Sequence, residues 1–393
     1  MLKLGLRLEL YRSPKLQLDY DLVQRAEALG FHSVWTAEAY GADAMTPLAA
    51  IAARTDRIKL GTAVVQLAGR PPAMLGMQAL TVDALGGGER MIVGLGLSGP
   101  QIVEGWYGQP WGKPNARLRD YVEILRAVLQ RDGPVSHDGP EISLPYSGPG
   151  ALGQGKALKS ILHAVSDVPI WLASVGPRNT ELCAELCEGW LPMGLPPQGT
   201  DDPDVRAALD RGFAKRRDGR TPADFEIFNG LTVKITDDVK GWLDAIRPGR
   251  AIYVGGMGSW THNYHVESMA KRGFADDAAR IQELFLAGRR EEAIAAMPDD
   301  ALLQGTLVGT AKSIRQQWEA GGIVPPGVTG VIVGSDRPEE LELIAELVGV
   351  RDGDAMEAWP ARVERPRDGY PGPQRASRRG GRDAGTESTS RDA

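Results

Sequence analysis

The sequence has few of the groups that carry chemistry unaided: two cysteines and five histidines in 393 residues. Cys183 and Cys187 stand four apart on a stretch of helical pattern, where they read as half-buried small apolar residues, not as a disulfide or metal pair. His32, His137, His163, His262 and His265 are scattered, and His262-x-x-His265 lacks carboxylate or cysteine partners at ligand spacing, so no metal is expected. No Gly-x-Ser-x-Gly elbow is present. A basic excess is missing too: 45 Lys and Arg face 51 Asp and Glu, which excludes a strongly basic nucleic-acid binder. Long apolar runs are absent, and Met1 to Leu10 carries Lys3, Arg7 and Glu9. Neither a spanning helix nor a secretory leader is expected, which makes the protein cytoplasmic with no membrane partner.

What is present is enough for a packed core, with 42% apolar and 24% charged residues. Eight segments rich in β-branched and apolar residues read as strands: Lys3 to Leu10, Ser33 to Thr36, Ile58 to Val65, Met91 to Leu97, Ile170 to Ala173, Trp190 to Met193, Phe225 to Lys234 and Val328 to Gly334. Helical patterns alternate with them, for example Tyr20 to Leu29, Pro47 to Arg54, Met74 to Ala84, Arg117 to Gln130, Thr180 to Glu188 and Pro338 to Val348. This order predicts an α/β fold, a TIM (β/α)8 barrel over residues 1–350.

Two insertions interrupt the repeat, about 99–168 after strand 4 and 242–327 after strand 7. The first holds a loop at Gly105 to Pro114 and a Gly/Pro-rich stretch at Pro140 to Gly155; the second has its own helices, notably Ala275 to Leu286 and Arg289 to Met297. Both start at strand C-termini, where barrel enzymes build their sites, so they read as lid and pocket walls, with subunit packing an equal alternative. Residues 360–393 are Arg, Gly, Pro, Ser and Asp with hardly any large apolar side chain, a tail too polar to fold by itself.

With no nucleophile or metal centre, the chemistry is expected from an organic cofactor and a small-molecule substrate. Three strand ends carry small residues: Leu60 to Gln66, Val93 to Gln101 and Trp171 to Asn179. Small side chains let a flat ring approach the backbone; glycine after a strand is also simply a turn residue. Gly176-Pro177 opens a helix whose free N–H groups attract an anion such as phosphate, with Arg178 adding charge, although plain capping explains Gly-Pro equally well.

In succession, Gly30-Phe31-His32-Ser33-Val34-Trp35-Thr36-Ala37-Glu38-Ala39-Tyr40, Arg57-Ile58-Lys59-Leu60-Gly61-Thr62-Ala63-Val64, Asp83 to Arg90, Ser98-Gly99-Pro100-Gln101 through Gly108, Gly189-Trp190-Leu191-Pro192 and Tyr253 to Gly258 resemble the bacterial luciferase-like family. The closest likeness is to its coenzyme F420-dependent branch. The resemblance runs in order to about residue 350 and implies a TIM barrel that transfers a hydride between a deazaflavin and a substrate.

Residue by residue, the resemblance implies that Ala63-Val64 is a non-prolyl cis peptide in a bulge behind the cofactor ring. Ser98 and Gly99 would line the ring and its side chain, and Ala173, Ser174, Gly176, Pro177 and Arg178 would hold the phosphate. Glu38 matches the acidic position beside the ring and is the candidate catalytic acid or base, or else a strand-end carboxylate that accepts structural hydrogen bonds. Some deazaflavin dehydrogenases have a histidine next to that acid; here it is Ala39, which favours an activated C=C or C=N substrate over a sugar or alcohol. Trp106 and Tyr107 are candidate aromatic lids, or pack on the barrel. Two rival readings stay open: an FMN-dependent monooxygenase fed by a separate flavin reductase, and a non-catalytic cofactor-binding protein. A homodimer is the expected assembly.

Overall fold

The computed structural model describes residues 1–10, 14–257 and 263–350. His262, Gly258 and the tail at 360–393 lie outside the described residues.

Twelve strands are described: β1 (Lys3–Arg7), β2 (Ser33–Thr36), β3 (Lys59–Thr62), β4 (Val65–Gln66), β5 (Met91–Gly96), β6 (His137–Asp138), β7 (Ser143–Leu144), β8 (Ile170–Ser174), β9 (Gly189–Pro192), β10 (Glu226–Ile235), β11 (Thr306–Gly309) and β12 (Gly330–Gly334). Eight of them, β1, β2, β3, β5, β8, β9, β10 and β12, form a closed parallel barrel. Closure is made by β12, which pairs with β1 from Lys3↔Gly330 to Arg7↔Gly334 and with β10 on its other edge. These are the eight expected staves. The first ends at Arg7, not Leu10, and the third is split into β3 and β4.

The helices are α1 (Tyr20–Ala28), α2 (Met45–Ala52), α3 (Pro72–Leu85), α4 (Pro100–Gly105), α5 (Pro114–Gln130), α6 (Pro177–Leu186), α7 (Pro203–Lys215), α8 (Val239–Gly256), α9 (Tyr264–Lys271), α10 (Ala275–Leu286), α11 (Arg290–Ala295), α12 (Asp299–Leu303), α13 (Ala311–Glu319) and α14 (Pro338–Val348). The apolar faces of α1, α2, α3, α5, α6, α7, α13 and α14 cover the outside of the barrel, while α8 to α12 pack on one another in a second apolar core; α1, for instance, is capped by Asp19, which accepts from Leu22 N at 2.9 Å, and buries Leu22, Val23 and Ala26. Cys183 and Cys187 are free thiols, fully buried where α6 meets the sheet.

Three pieces were not foreseen. The hairpin β6–β7 lies at the start of the Gly/Pro-rich stretch; Asp120 on α5 anchors it by accepting from the backbone N–H groups of Glu141 and Ile142 at 2.8 and 2.9 Å. Helix α7 follows β9. Strand β11 pairs with Thr232 to Ile235 of β10. Because Thr232 pairs with both Thr306 and Gly334, β11 takes the edge of β10 opposite β12, extending the sheet where β9 has ended.

Inside the barrel the residues form layers. At the N-terminal end Lys3 is ion-paired with Glu226, and half-buried His32 lies beside Lys59. Burial first, then the charges of Lys59 and Lys3, hold the His32 imidazole well below its ordinary pKa. Above lie Trp35, Trp171 and Phe228, with ring centroids 5.2 Å (Trp35–Trp171), 5.9 Å (Trp35–Phe228) and 4.9 Å (Trp171–Phe228) apart. These rings fit because the facing staves lack side chains: a Cβ at Gly5 or Gly61 would lie 2.5 or 2.3 Å from Trp35, at Gly189 2.4 Å from Trp171, and at Gly330 2.3 Å from Phe228. The barrel is therefore plugged in the middle, which separates its lower end from the strand C-termini above. A cavity of about 720 Å³ does open below, but its lining is crossed by the ion pairs of Arg126 and Arg220 with Glu188.

Burial also lowers the pKa of His265, which packs edge-on against Tyr253 at 5.2 Å, to about 4. Both imidazoles are neutral in the fold and charge on unfolding, so their stabilisation is full above pH 6.5 and is lost as pH falls. At pH 5 the His265 contribution to that loss is on the order of 2 kcal/mol. Urea midpoints of wild type and His265→Gln at pH 7.5 and pH 5 check this: the wild type should fall further.

Candidate active site

At the barrel mouth the third stave is broken. Gly61 pairs with Ile92, and pairing resumes at Val65 with Leu95, so three residues of one strand (62–64) oppose two of the other (93–94). This is a β-bulge. Within it the Ala63–Val64 peptide bond is cis, at the position where the sequence resemblance placed one.

The bulge dictates the sequence of its neighbour. It pushes the Thr62 carbonyl towards β5, where a Cβ at Gly94 would lie 1.9 Å from that oxygen, and a Cβ at Gly96 would lie 2.4 Å from Val64 Cγ2. The Thr62 hydroxyl bridges the interrupted ladder, donating to Gly94 O at 2.9 Å and accepting from Gly94 N at 2.8 Å. On the other side Ala63 N donates to Thr36 O at 2.7 Å and Glu38 N donates to Val64 O at 3.2 Å.

The Glu38 carboxylate is engaged within the fold. Its Oε1 accepts from Gln66 N at 2.8 Å, and its Oε2 accepts from Ala44 N at 3.1 Å and pairs with Arg70 Nη2 at 2.6 Å. Only 3% of the Glu38 side chain is exposed. Of the two readings open for this residue, the geometry matches the carboxylate that accepts structural hydrogen bonds: Glu38 clamps the bulge from behind. Tyr121 Oη donates to Arg70 O at 3.0 Å, and the Tyr107 ring rests on Gly69. Burial, with the nearby Glu38 charge, raises the Tyr107 pKa, so its hydroxyl stays protonated.

Ser98 adopts a left-handed backbone conformation (φ 61°), and Gly99 begins α4 as its N-cap. In the first turn of α4, Gln101 Nε2 donates to Met257 O at 2.9 Å, joining the segment after β5 to the end of α8. The Met257 sulfur also receives the Tyr40 hydroxyl at 3.9 Å. Tyr40 and Trp106 meet edge to face at 6.4 Å, and both are largely exposed.

The third corner is the end of β8. Ala173 packs with Ala63 and Val64 on the aromatic layer. The Ser174 hydroxyl is buried against Thr180 Oγ1 at 3.0 Å, so the side chain faces α6 and leaves only main chain for a ligand. Gly176 caps α6 without a side-chain hydrogen bond, open space lies where its Cβ would be, and Pro177 is the first helical residue. Arg178 is exposed and makes no ion pair among the described residues. Lys271, at the end of α9, donates from Nζ to Val175 O and brings a second cation to this helix N-terminus. Sequence spacing gave no sign of Lys271, because its place depends on how the helices between β10 and β11 fold back.

A closed parallel barrel with open main chain at its strand C-termini is a TIM-barrel enzyme architecture. The profile of the luciferase-like monooxygenase family matches residues 8–330, and the chain belongs to that family. It is 42% identical over 351 residues to a Mycobacterium tuberculosis protein provisionally named a coenzyme F420-dependent oxidoreductase, covering 88% of this chain and 99% of the relative. It is 26% identical over 340 residues to 5,10-methylenetetrahydromethanopterin reductase of Archaeoglobus fulgidus, covering 84% of this chain and 94% of that protein. The fold is shared with the coenzyme F420-dependent tetrahydromethanopterin reductase of Methanopyrus kandleri, with a TM-score of 0.65 at 23% identity, over 88% of this chain and 97% of that one.

The contact between the Thr62 carbonyl and Gly94 can be tested directly. Gly94→Ala should lower the unfolding free energy by about 1–3 kcal/mol. Gly176→Ala, at an open position, should change it by less than about 0.5 kcal/mol. Urea titrations of the two variants check the contrast.

Proposed function

We propose that this protein is a coenzyme F420-dependent oxidoreductase acting on a small organic molecule. The observation that carries the reading is the bulge at Ala63 and Val64, backed by Gly94 and Gly96, with an anion-attracting helix N-terminus at the end of β8. A deazaflavin, when bound, supplies a hydride donor or acceptor that handles single electrons poorly.

The chain's own part is to hold and orient. Ala63 and Val64 back the ring, while Ser98 and Gly99 flank it. The main chain of Ala173, Ser174 and Gly176, the start of α6 at Pro177, and the Arg178 guanidinium receive the phosphate. Lys271 joins that corner. Glu38 acts as a positioning residue: with Arg70 it fixes the bulge that the ring rests on. Tyr40, Trp106 and Met257 wall the mouth and exclude water from the reacting face. With Ala39 beside Glu38, that position offers no imidazole to take an alcohol proton, which favours substrates with an activated C=C or C=N bond. A cytoplasmic homodimer is the expected setting.

Fluorescence titration with F420 and with FMN tests the reading. F420 should bind saturably and more tightly than FMN, and Arg178→Gln should weaken it about tenfold through loss of a charge-assisted contact. Tighter FMN binding with oxygen consumption would overturn the assignment. Glu38→Gln should cost about 3–5 kcal/mol of stability by leaving Arg70 unpaired. It should also weaken F420 binding, with the pH profile of residual turnover unmoved; a shifted profile would restore Glu38 as an acid or base.

A further inference from the structure

The first stave carries a cation that the cofactor-holding residues do not use. Along β1, Leu4 and Leu6 pack outward against the helices, so Lys3, Gly5 and Arg7 face the lumen. Gly5 confirms the phase, since its Cβ would strike Trp35. Arg7 is therefore one layer above the aromatic plug, at the level of the mouth.

Its guanidinium lies across the far staves. Nη2 is 2.1 Å from where a Cβ of Gly334 would be, and Nη1 is 3.9 Å from that of Gly230. Gly334 and Gly230 follow by two residues Ile332 and Phe228, both members of the luminal cluster. The two glycines thus leave room for one arginine head at the mouth. Nε is buried and lies 3.2 Å from Glu9 Oε1 without the alignment of a hydrogen bond. Neither terminal amino group has a hydrogen-bond partner among the described residues, and 31% of the side chain remains accessible. Around it the luminal positions at this level are small, among them Ala63, Gly96 and Ala173.

We propose that Arg7 is the substrate-anchoring residue of this barrel, and that the substrate carries an electron-rich oxygen, a carboxylate or a carbonyl, conjugated to the bond that is reduced. This rests on the proposed function. A planar guanidinium presents two parallel N–H donors, which match such an oxygen and pin the substrate in the plane of the fork. Its positive charge also favours a substrate whose oxygen gains negative charge as the conjugated bond accepts electrons. Glu9, held at the Nε edge, leaves the outer edge of the fork to the ligand.

The test uses protein loaded with oxidised F420, so that nothing turns over, and reads binding by saturation-transfer NMR. Cinnamate supplies a carboxylate, benzalacetone a conjugated ketone, and β-methylstyrene the same skeleton without oxygen. At least one oxygen probe should bind more tightly than the hydrocarbon. Arg7→Gln should weaken that probe about tenfold or more, with Arg7→Lys retaining part of the affinity. F420 affinity should be the same in all three proteins. Which probe responds decides between carboxylate and ketone. Equal affinity of wild type and Arg7→Gln for the oxygen probes, or no oxygen probe binding better than the hydrocarbon, would overturn the proposal. Failure of the wild type to take up F420 would instead overturn the cofactor reading, and the same comparison on the unloaded protein would still decide the role of Arg7.

Discussion

A carbonyl oxygen occupying the place of a side chain organises the mouth of this barrel. The Thr62 carbonyl fills the space beside Gly94, so any residue larger than glycine there would force the two staves apart. Close-packed interiors do not absorb such an intrusion, and the consequences spread outwards. The Thr62 hydroxyl repairs the ladder, Gly96 yields to Val64, and Glu38 with Arg70 braces the bulge from the loops behind β2 and β4. The glycines of β5, Gly94 and Gly96, are thus a steric answer to a neighbouring strand.

Glycine serves the same purpose lower down. Three large rings share the barrel interior only because four staves give up their side chains at that level. The luminal residues therefore change character from an ion-paired lower end, through aromatics, to small residues at the upper end with the Arg7 guanidinium lying across the far staves.

Much of this was legible in the sequence, and the gaps have physical causes. The eight staves announced themselves as β-branched runs separated by helical patterns, and the bulge could be placed because the segments around Ala63-Val64 resemble a known family in order. β11 escaped notice because Thr306 to Gly309 is a four-residue strand set between two helices, α12 and α13, in a stretch that reads as helical. The Arg70 partner of Glu38 and the Lys271 contact with the β8–α6 loop join residues far apart in the chain, which local pattern does not encode. Arg7 is a different case. Its alternation with Gly5 was visible, but in a barrel both faces of a strand are interior, and the leucines that look like the core side face the helices.

The aromatic layer of Trp35, Trp171 and Phe228 makes the barrel a cup, with no passage through its base. Any two molecules that react in it share one doorway. Whichever rests against the bulge and is covered by the other has to arrive first and leave last. The order of events in a catalytic cycle would then follow from three rings packed against glycine, well away from any reacting atom.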